Sequence, residues 1–387
     1  MTKRTMPIVV IGLIATSGAL AQDIADGFKM TGEVSLGLRV TNEKANDAAK
    51  SHEYRDLKSG AVGGFELKGR GAEYYLDAFG ENLGRDDQDI DIRGGKYTIF
   101  KYQLYQNSMV HNWAFGARTP HAGAGTNTLT ATLPNLNTNT WYSYDLSEKR
   151  TNVGLVFELS NNSPWYIRTE ANQVDQKGTR LIAGANGTGP GNGFTDKPFP
   201  VDYRTNNLSL EGGYASKRGQ LSLGLHHSRF MNEDQTLRWS NGFFANGLDT
   251  TYLAPGSDYS KISVNGNLRQ LPLGSTLAGR MTYSKTSNSV PMGTSELTTL
   301  GAFNPTNPDR AVFDGDIRHS TASLTLHSNP MRQLDTRAYW NWFNKDNRST
   351  RITFGASPAT HILDYRKNNL GLDVGYRINP NHRIVVG

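Results

Sequence analysis

The residues able to do chemistry are few and poorly placed for it. Nine histidines are spread through 387 residues, and the one adjacent pair, His226 and His227, falls in a segment of alternating polarity. Neighbouring side chains on a strand project to opposite faces, so these two rings cannot share a metal ion. Asp86, Asp87, Asp89 and Asp91 crowd carboxylates as a calcium loop would, yet the spacing lacks the glycine and terminal glutamate of an EF-hand and reads as a solvated loop. His327, Ser328 and Asp335 supply the residue types of a nucleophile, a base and an orienting acid. Ser328, however, reads as part of a tight turn, and no G-x-S-x-G surrounds any serine. The glycine-rich run from Gly184 to Gly189 lacks the Lys-Ser/Thr ending of a phosphate loop. No catalytic, cofactor-binding or metal-ligating residue is therefore assigned. With no cysteine at all, disulfides, thiolate metal sites and covalent haem attachment through C-x-x-C-H are impossible on this chain.

The elements around these residues point to a membrane. Lys3 and Arg4 precede an apolar run from Ile8 to Ala15, and Ala19-Leu20-Ala21 fits an A-x-A cleavage site. Residues 1–21 thus read as an export signal, and residues 22–387 as the mature chain. Removing the two cations of the leader lowers the formal charge from +6 to +4, too mild and too dispersed to suggest nucleic acid. No stretch approaches the ~20 apolar residues of a membrane helix, so a membrane-spanning form must be a closed β-barrel. A hydrophobic content of 36% does not oppose this, because the lumen-facing half of each barrel strand is polar.

From about residue 152 onward one pattern recurs. Val153, Leu155, Phe157 and Leu159 alternate, Asn161-Asn162-Ser163-Pro164 turns the chain, and a new strand starts at Trp165. Residues 175–203 lose the alternation and read as a long exposed loop rich in Gly, Asn, Thr and Pro. Leu208, Leu210, Gly212 and Tyr214 resume it, followed by a short turn, Leu221, Leu223 and Leu225, and a second long loop over residues 231–258. Ile262, Val264, Gly266 and Leu268 open a third cycle, which turns at Leu271-Pro272-Leu273-Gly274. Ala322, Leu324 and Leu326 open a fourth, which turns at Ser328-Asn329-Pro330, and Leu370, Leu372, Val374 and Tyr376 a fifth. Segments of about ten residues, with short turns alternating with long loops, match tilted barrel strands with periplasmic and extracellular ends. A soluble sandwich would bury the apolar face and has no reason to alternate turn length.

The N-terminal third is less regular, with a clear strand at Val34, Leu36, Leu38 and Val40 and strand pairs interrupted by the acidic loop Arg85 to Asp89. The last strand, His382 to Gly387, stops short of a bilayer crossing. An unpaired edge is not tolerated in lipid, so the native chain is expected to continue. The fold class expected is all-β: a large antiparallel up-and-down transmembrane β-barrel of the outer membrane, incomplete at its C-terminus, with residues 22–387 forming the N-terminal part of one barrel domain.

Several strings resemble the MtrB/PioB family of decahaem-associated outer-membrane barrels. They are Tyr54-Arg55-Asp56-Leu57, Gly63-Gly64-Phe65, Gly80 to Gln88, and Ile92-Arg93-Gly94-Gly95. Further on come Ser163-Pro164-Trp165-Tyr166, Phe199 to Tyr203, Asn241 to Phe244, Asp249 to Pro255, and Arg269 to Ser275. The resemblance covers residues 54–285 most clearly. It implies a sheath in which a periplasmic decahaem c-type cytochrome sits in the lumen, with an outer-surface multihaem cytochrome as a second partner, for extracellular metal reduction or iron oxidation. The haem would be carried by the partner cytochrome and none by this chain. Some relatives carry a C-x-x-C pair near the mature N-terminus, and any role tied to it is not carried over. The barrel pattern alone fits a general diffusion porin without a cytochrome partner. Neither reading makes the chain an enzyme.

Overall fold

A computed structural model describes residues 20–24, 27–41, 45–185, 194–242, 245–292, 308–353 and 362–387. Except for Leu20 and Ala21, the expected export signal lies outside these residues. The first part of the chain forms β1 (Leu20–Ile24), β2 (Phe28–Arg39), α1 (Ala45–Ser51), β3 (Gly60–Arg70), β4 (Tyr74–Leu83), β5 (Asp89–Lys96), β6 (Phe100–Thr119), β7 (Thr128–Leu129) and β8 (Tyr142–Leu159). Next come β9 (Trp165–Ala185), β10 (Phe194–Ala215), β11 (Gly219–Asn232), β12 (Thr236–Asn241), β13 (Gly247–Tyr252) and β14 (Ser257–Leu271). The chain ends with β15 (Ser275–Pro291), β16 (Val312–Met331), β17 (Leu334–Asn347), β18 (Tyr365–Asn379) and β19 (His382–Val386).

Sixteen of these strands make one sheet in which sequence neighbours pair antiparallel from β1 to β19, with β7, β12 and β13 set apart in a second, three-stranded sheet. Among the described residues β1 and β19 are the two ends of the large sheet. Its strand order is that of an up-and-down barrel wall.

The alternation read from the sequence becomes two faces. Leu155, Leu208, Leu223, Val264, Met281, Leu324 and Leu372 are all exposed on one face. Register carries that face from strand to strand: Leu210 lies opposite Leu225, which lies opposite Ile262, which lies opposite Tyr283. A sheet that leaves its aliphatic face uncovered is in water only at a large cost, and in lipid that cost vanishes.

The expected loop over residues 175–203 is corrected. β9 continues to Ala185 and β10 starts at Phe194, so the strands run well beyond the aliphatic segment. Alternation stops because the outward positions there carry Asp175, Lys177, Asp202 and Arg204, while the backbone ladder continues unbroken. Likewise, residues 231–258 hold β12 and β13 rather than only loop. Ser328-Asn329-Pro330 is also not the turn, since β16 extends to Met331.

Candidate functional site

The face opposite the aliphatic one is a wall of charges. Arg93 meets Asp91 at 2.7 Å, Lys101 meets Glu158 at 3.0 Å, and Arg337 meets Asp373 at 3.6 Å. Lys101 and Glu158 are direct cross-strand partners, as are Arg337 and Asp373. Half-exposed pairs of this kind add little stability, so their effect is on the surface: a hydrated wall of both signs. Tyr105 lies over Gly154 and Tyr339 over Gly371, where a side chain in place of either glycine would meet the ring. Such aromatic cover of a glycine pins strand register.

At the long-loop end this wall is partly covered. Leu129, Leu237 and Trp239 of the small sheet and Leu253, the residue after β13, pack with Phe199 and Val201 of β10 into the main buried cluster, against Ile182 and Tyr203. Phe199, Val201 and Tyr203 share the side of β10 that carries Ser209 and Glu211 further down. The insert therefore sits on the polar side of the wall, at its long-loop end.

Beneath the insert, Lys197 and His121 are almost fully enclosed, with Nζ 3.4 Å from the imidazole Nε2. His121 Nδ1 is 3.2 Å from the Thr119 hydroxyl. Burial, with the neighbouring Lys197 ammonium, pushes His121 down to about 4. A histidine whose folded value lies below its free value of about 6.5 is uncharged in the folded cap at neutral pH, and the unfolded cap binds the extra proton. Cap stability is then fully present above pH ~6.5 and lost as pH falls toward 4. Relative to intrinsic exchange at each pH, the protection of the Lys197, Phe199 and Val201 amides should fall across that window in the full-length protein, and His121→Gln should remove that pH dependence.

A second lock joins two loops at the same end. Arg85 Nη2 lies 3.2 Å from Asp56 Oδ1, with both side chains under a tenth exposed. Arg85 also donates to the Lys58 carbonyl, and the Asp86 amide donates to Asp56 Oδ2 at 3.1 Å. Lys149 on β8 donates to Asp86 at 2.8 Å and holds its carboxyl below the usual carboxylate range, against a smaller opposing effect of burial.

The candidate chemistry of the sequence is not assembled. His226 bonds Ser209 at 2.8 Å on the polar face, whereas His227 bonds Ser260 at 3.0 Å on the other. Asp86 serves Lys149 while Asp91 serves Arg93, and among the described residues no three His, Cys, Asp or Glu side chains converge as a metal site. Ser328 is buried against Ser275 and the Leu273 carbonyl, and Asp335 pairs with Arg383. His327, the adjacent residue on β16, faces the other side. Gly184 and Ala185 end β9, and the rest of the glycine-rich run lies outside the described residues.

The strings that carry the family resemblance turn out to be contact points between distant segments. Asp56 and Arg85 are the loop lock, and Phe65 lies over Gly80. Gly94 lies under the Tyr102 ring, and a Cβ on Gly95 would strike the Phe100 carbonyl. Phe199, Val201 and Leu253 belong to the cap core, and Asp249 accepts from Asn241 at 3.3 Å. Ser275 closes the turn after Arg269 by donating to the Pro272 carbonyl at 2.7 Å. Because backbone rather than a movable side chain meets Gly95, Gly95→Ala should destabilise the full-length barrel by ~1–3 kcal/mol. The urea midpoint should shift accordingly, and an unchanged midpoint would refute the close approach.

A family of known proteins agrees with this architecture. The family described as "Putative outer membrane beta-barrel porin, MtrB/PioB" matches residues 43–387. No curated protein matches the chain. Among solved structures, it is similar to OmpT of Vibrio cholerae, folded in vitro, at 12% identity and a TM-score of 0.31, covering 91% of this chain and 98% of that one. It is also similar to the copper transporter OprC at 10% identity and a TM-score of 0.38, covering 97% of this chain and 61% of that one. A match extending from the first long loop to the last strand takes in the loop lock, the cap and the alternating wall together: this chain belongs to the MtrB/PioB family of outer-membrane β-barrel proteins.

Proposed function

We propose that this outer-membrane barrel sheathes a periplasmic decahaem c-type cytochrome and so supports electron transfer between the periplasm and extracellular metal. The observation that carries the reading is the family match over residues 43–387, on a chain with a polar, ion-paired wall and no cysteine to attach haem. Electrons cross hydrocarbon poorly, so closely spaced haems need an insulating tube with a hydrated inner surface. This chain offers the tube, and the haem comes with the partner. An outer-surface multihaem cytochrome would dock at the long-loop end. In this reading the barrel itself catalyses no reaction.

A second reading, a general diffusion porin, is favoured by the same hydrated wall of paired charges. The two separate on reconstitution. The full-length protein purified from its own outer membrane should carry a haem-staining partner through affinity purification, and in vesicles it should pass electrons to an enclosed dye with little ion leakage. Free ion conductance with no haem in the preparation would sink the sheath and leave the porin.

A further inference from the structure

We propose that a charged collar on the outward face, just above the aliphatic belt at the long-loop end, binds the phosphorylated sugar headgroups of the outer-leaflet glycolipid. The collar is read by following the lipid-side face outward, strand by strand. On β10 Leu210 and Leu208 give way to Asn206 and then Arg204, and on β11 Leu225 gives way to His227 and then Arg229. On β14 Ile262 is followed by Ser260 and Asp258, and on β15 Tyr283 is followed by Lys285. On β16 Ala322 is followed by Ser320 and Arg318, and on β18 Leu370 is followed by Asn368 and Arg366. Every one of these strands shows the same order: aliphatic or aromatic, then an uncharged polar row or none, then charge.

Height places this row at the headgroups. From Tyr214 to Arg204 is about ten residues at roughly 3.3 Å each. With a tilt of ~45° that rises about 23 Å, close to the ~25 Å apolar band of an outer-membrane barrel. Charge at that level has left the hydrocarbon but still touches lipid.

The composition suits phosphate. Arg204 lies 2.9 Å from Asp175, Arg318 lies 2.8 Å from Asp316, and Lys177 lies 3.2 Å from Asp202. Guanidinium and ammonium groups bind phosphate oxygens directly, whereas the interleaved carboxylates can hold divalent cations that bridge to further phosphates. The row of Asn206, Ser260, Ser320 and Asn368 beneath offers donors to sugar hydroxyls and acyl carbonyls.

Asymmetry selects the lipid. At the short-turn end the same face carries Trp165, Tyr214, Leu221, Leu268, Leu326 and Tyr376, without a charge among them. Among the described residues Lys96 is the strand charge on that face at this end, opposite Tyr74 and ion-paired to Glu73 at 2.7 Å. A face whose charges otherwise gather at the long-loop end matches a bilayer whose outer leaflet alone carries densely phosphorylated sugar.

The test uses the full-length protein purified from outer membranes in mild detergent, with bound glycolipid measured by mass spectrometry. The R204E/R229E/R318E variant should retain at least about tenfold less glycolipid than the parent. The lumen-side R269E/R280E variant should retain as much as the parent. Should the triple reversal fail to assemble, R204Q/R229Q/R318Q is read in the same way. In vesicles of phosphatidylcholine, lipid A should raise the melting temperature of the parent more than phosphatidylglycerol does, and the triple variant should lose that difference. Equal glycolipid on parent and triple variant, or equal stabilisation by the two anionic lipids, would overturn the proposal.

Discussion

Replacing Arg85 by alanine is expected to cost about 3–5 kcal/mol, far more than any other loop charge, because it strands the Asp56 carboxylate in a site closed to water. Asp56 keeps only amide donors, from Asp86 at 3.1 Å and Lys58 at 3.2 Å, which do not replace a guanidinium. Lys149→Ala removes a pair of similar length, 2.8 Å to Asp86, but both side chains there are more than 40% exposed. Its cost should stay within ~1 kcal/mol. Hydrogen exchange of residues 45–59 and 84–88 in the full-length protein reads the difference. The double variant Arg85→Ala/Asp56→Ala should recover part of the loss, since no charge is then left buried. Equal effects of Arg85→Ala and Lys149→Ala would show that the lock is not structural.

The second large effect separates the two faces of one strand. Leu210 lies about midway between Tyr214 and the collar on β10, and is exposed on the aliphatic side. Leu210→Arg places a cation near the middle of the hydrocarbon and should destabilise the barrel by ~2–4 kcal/mol. Asn207→Arg, three residues away on the polar side between Asn172 and Ser228, should cost little, because the cation stays in water. Denaturant titration of the full-length protein in lipid vesicles measures both. A similar loss from each would mean that both faces meet the same solvent.

The sequence exposed the membrane part of the wall because lipid imposes the alternation directly: Leu208, Leu210, Leu223 and Leu225 could be placed on one face without any partner being known. Above the bilayer that constraint ends. Asp175, Lys177 and Arg204 keep the strand and lose the pattern, so extended strands read as loop. The cap was hidden for another reason. Its two hairpin strands are each six residues long, and its third, two-residue strand pairs in parallel with β12 from more than a hundred residues away. Leu237 and Trp239 alternate, and that was the one local signal of it. The Asp56–Arg85 lock was marked by strings resembling the family, but isolated charges in a loop look solvated until the second loop is seen to cover them.

Which solvent each face of a strand meets is directly measurable, because residues 1–387 contain no native cysteine to compete with an introduced one. Single cysteine substitutions at each position from Asn207 to Tyr214, in the full-length protein in vesicles, can each carry one fluorophore whose quenching by brominated lipid is recorded. Strong quenching at 208, 210, 212 and 214 with weak quenching at 207, 209, 211 and 213 is the expected result. Uniform quenching, or a repeat of three to four residues, would contradict a strand with one face in lipid and the other in a watery lumen.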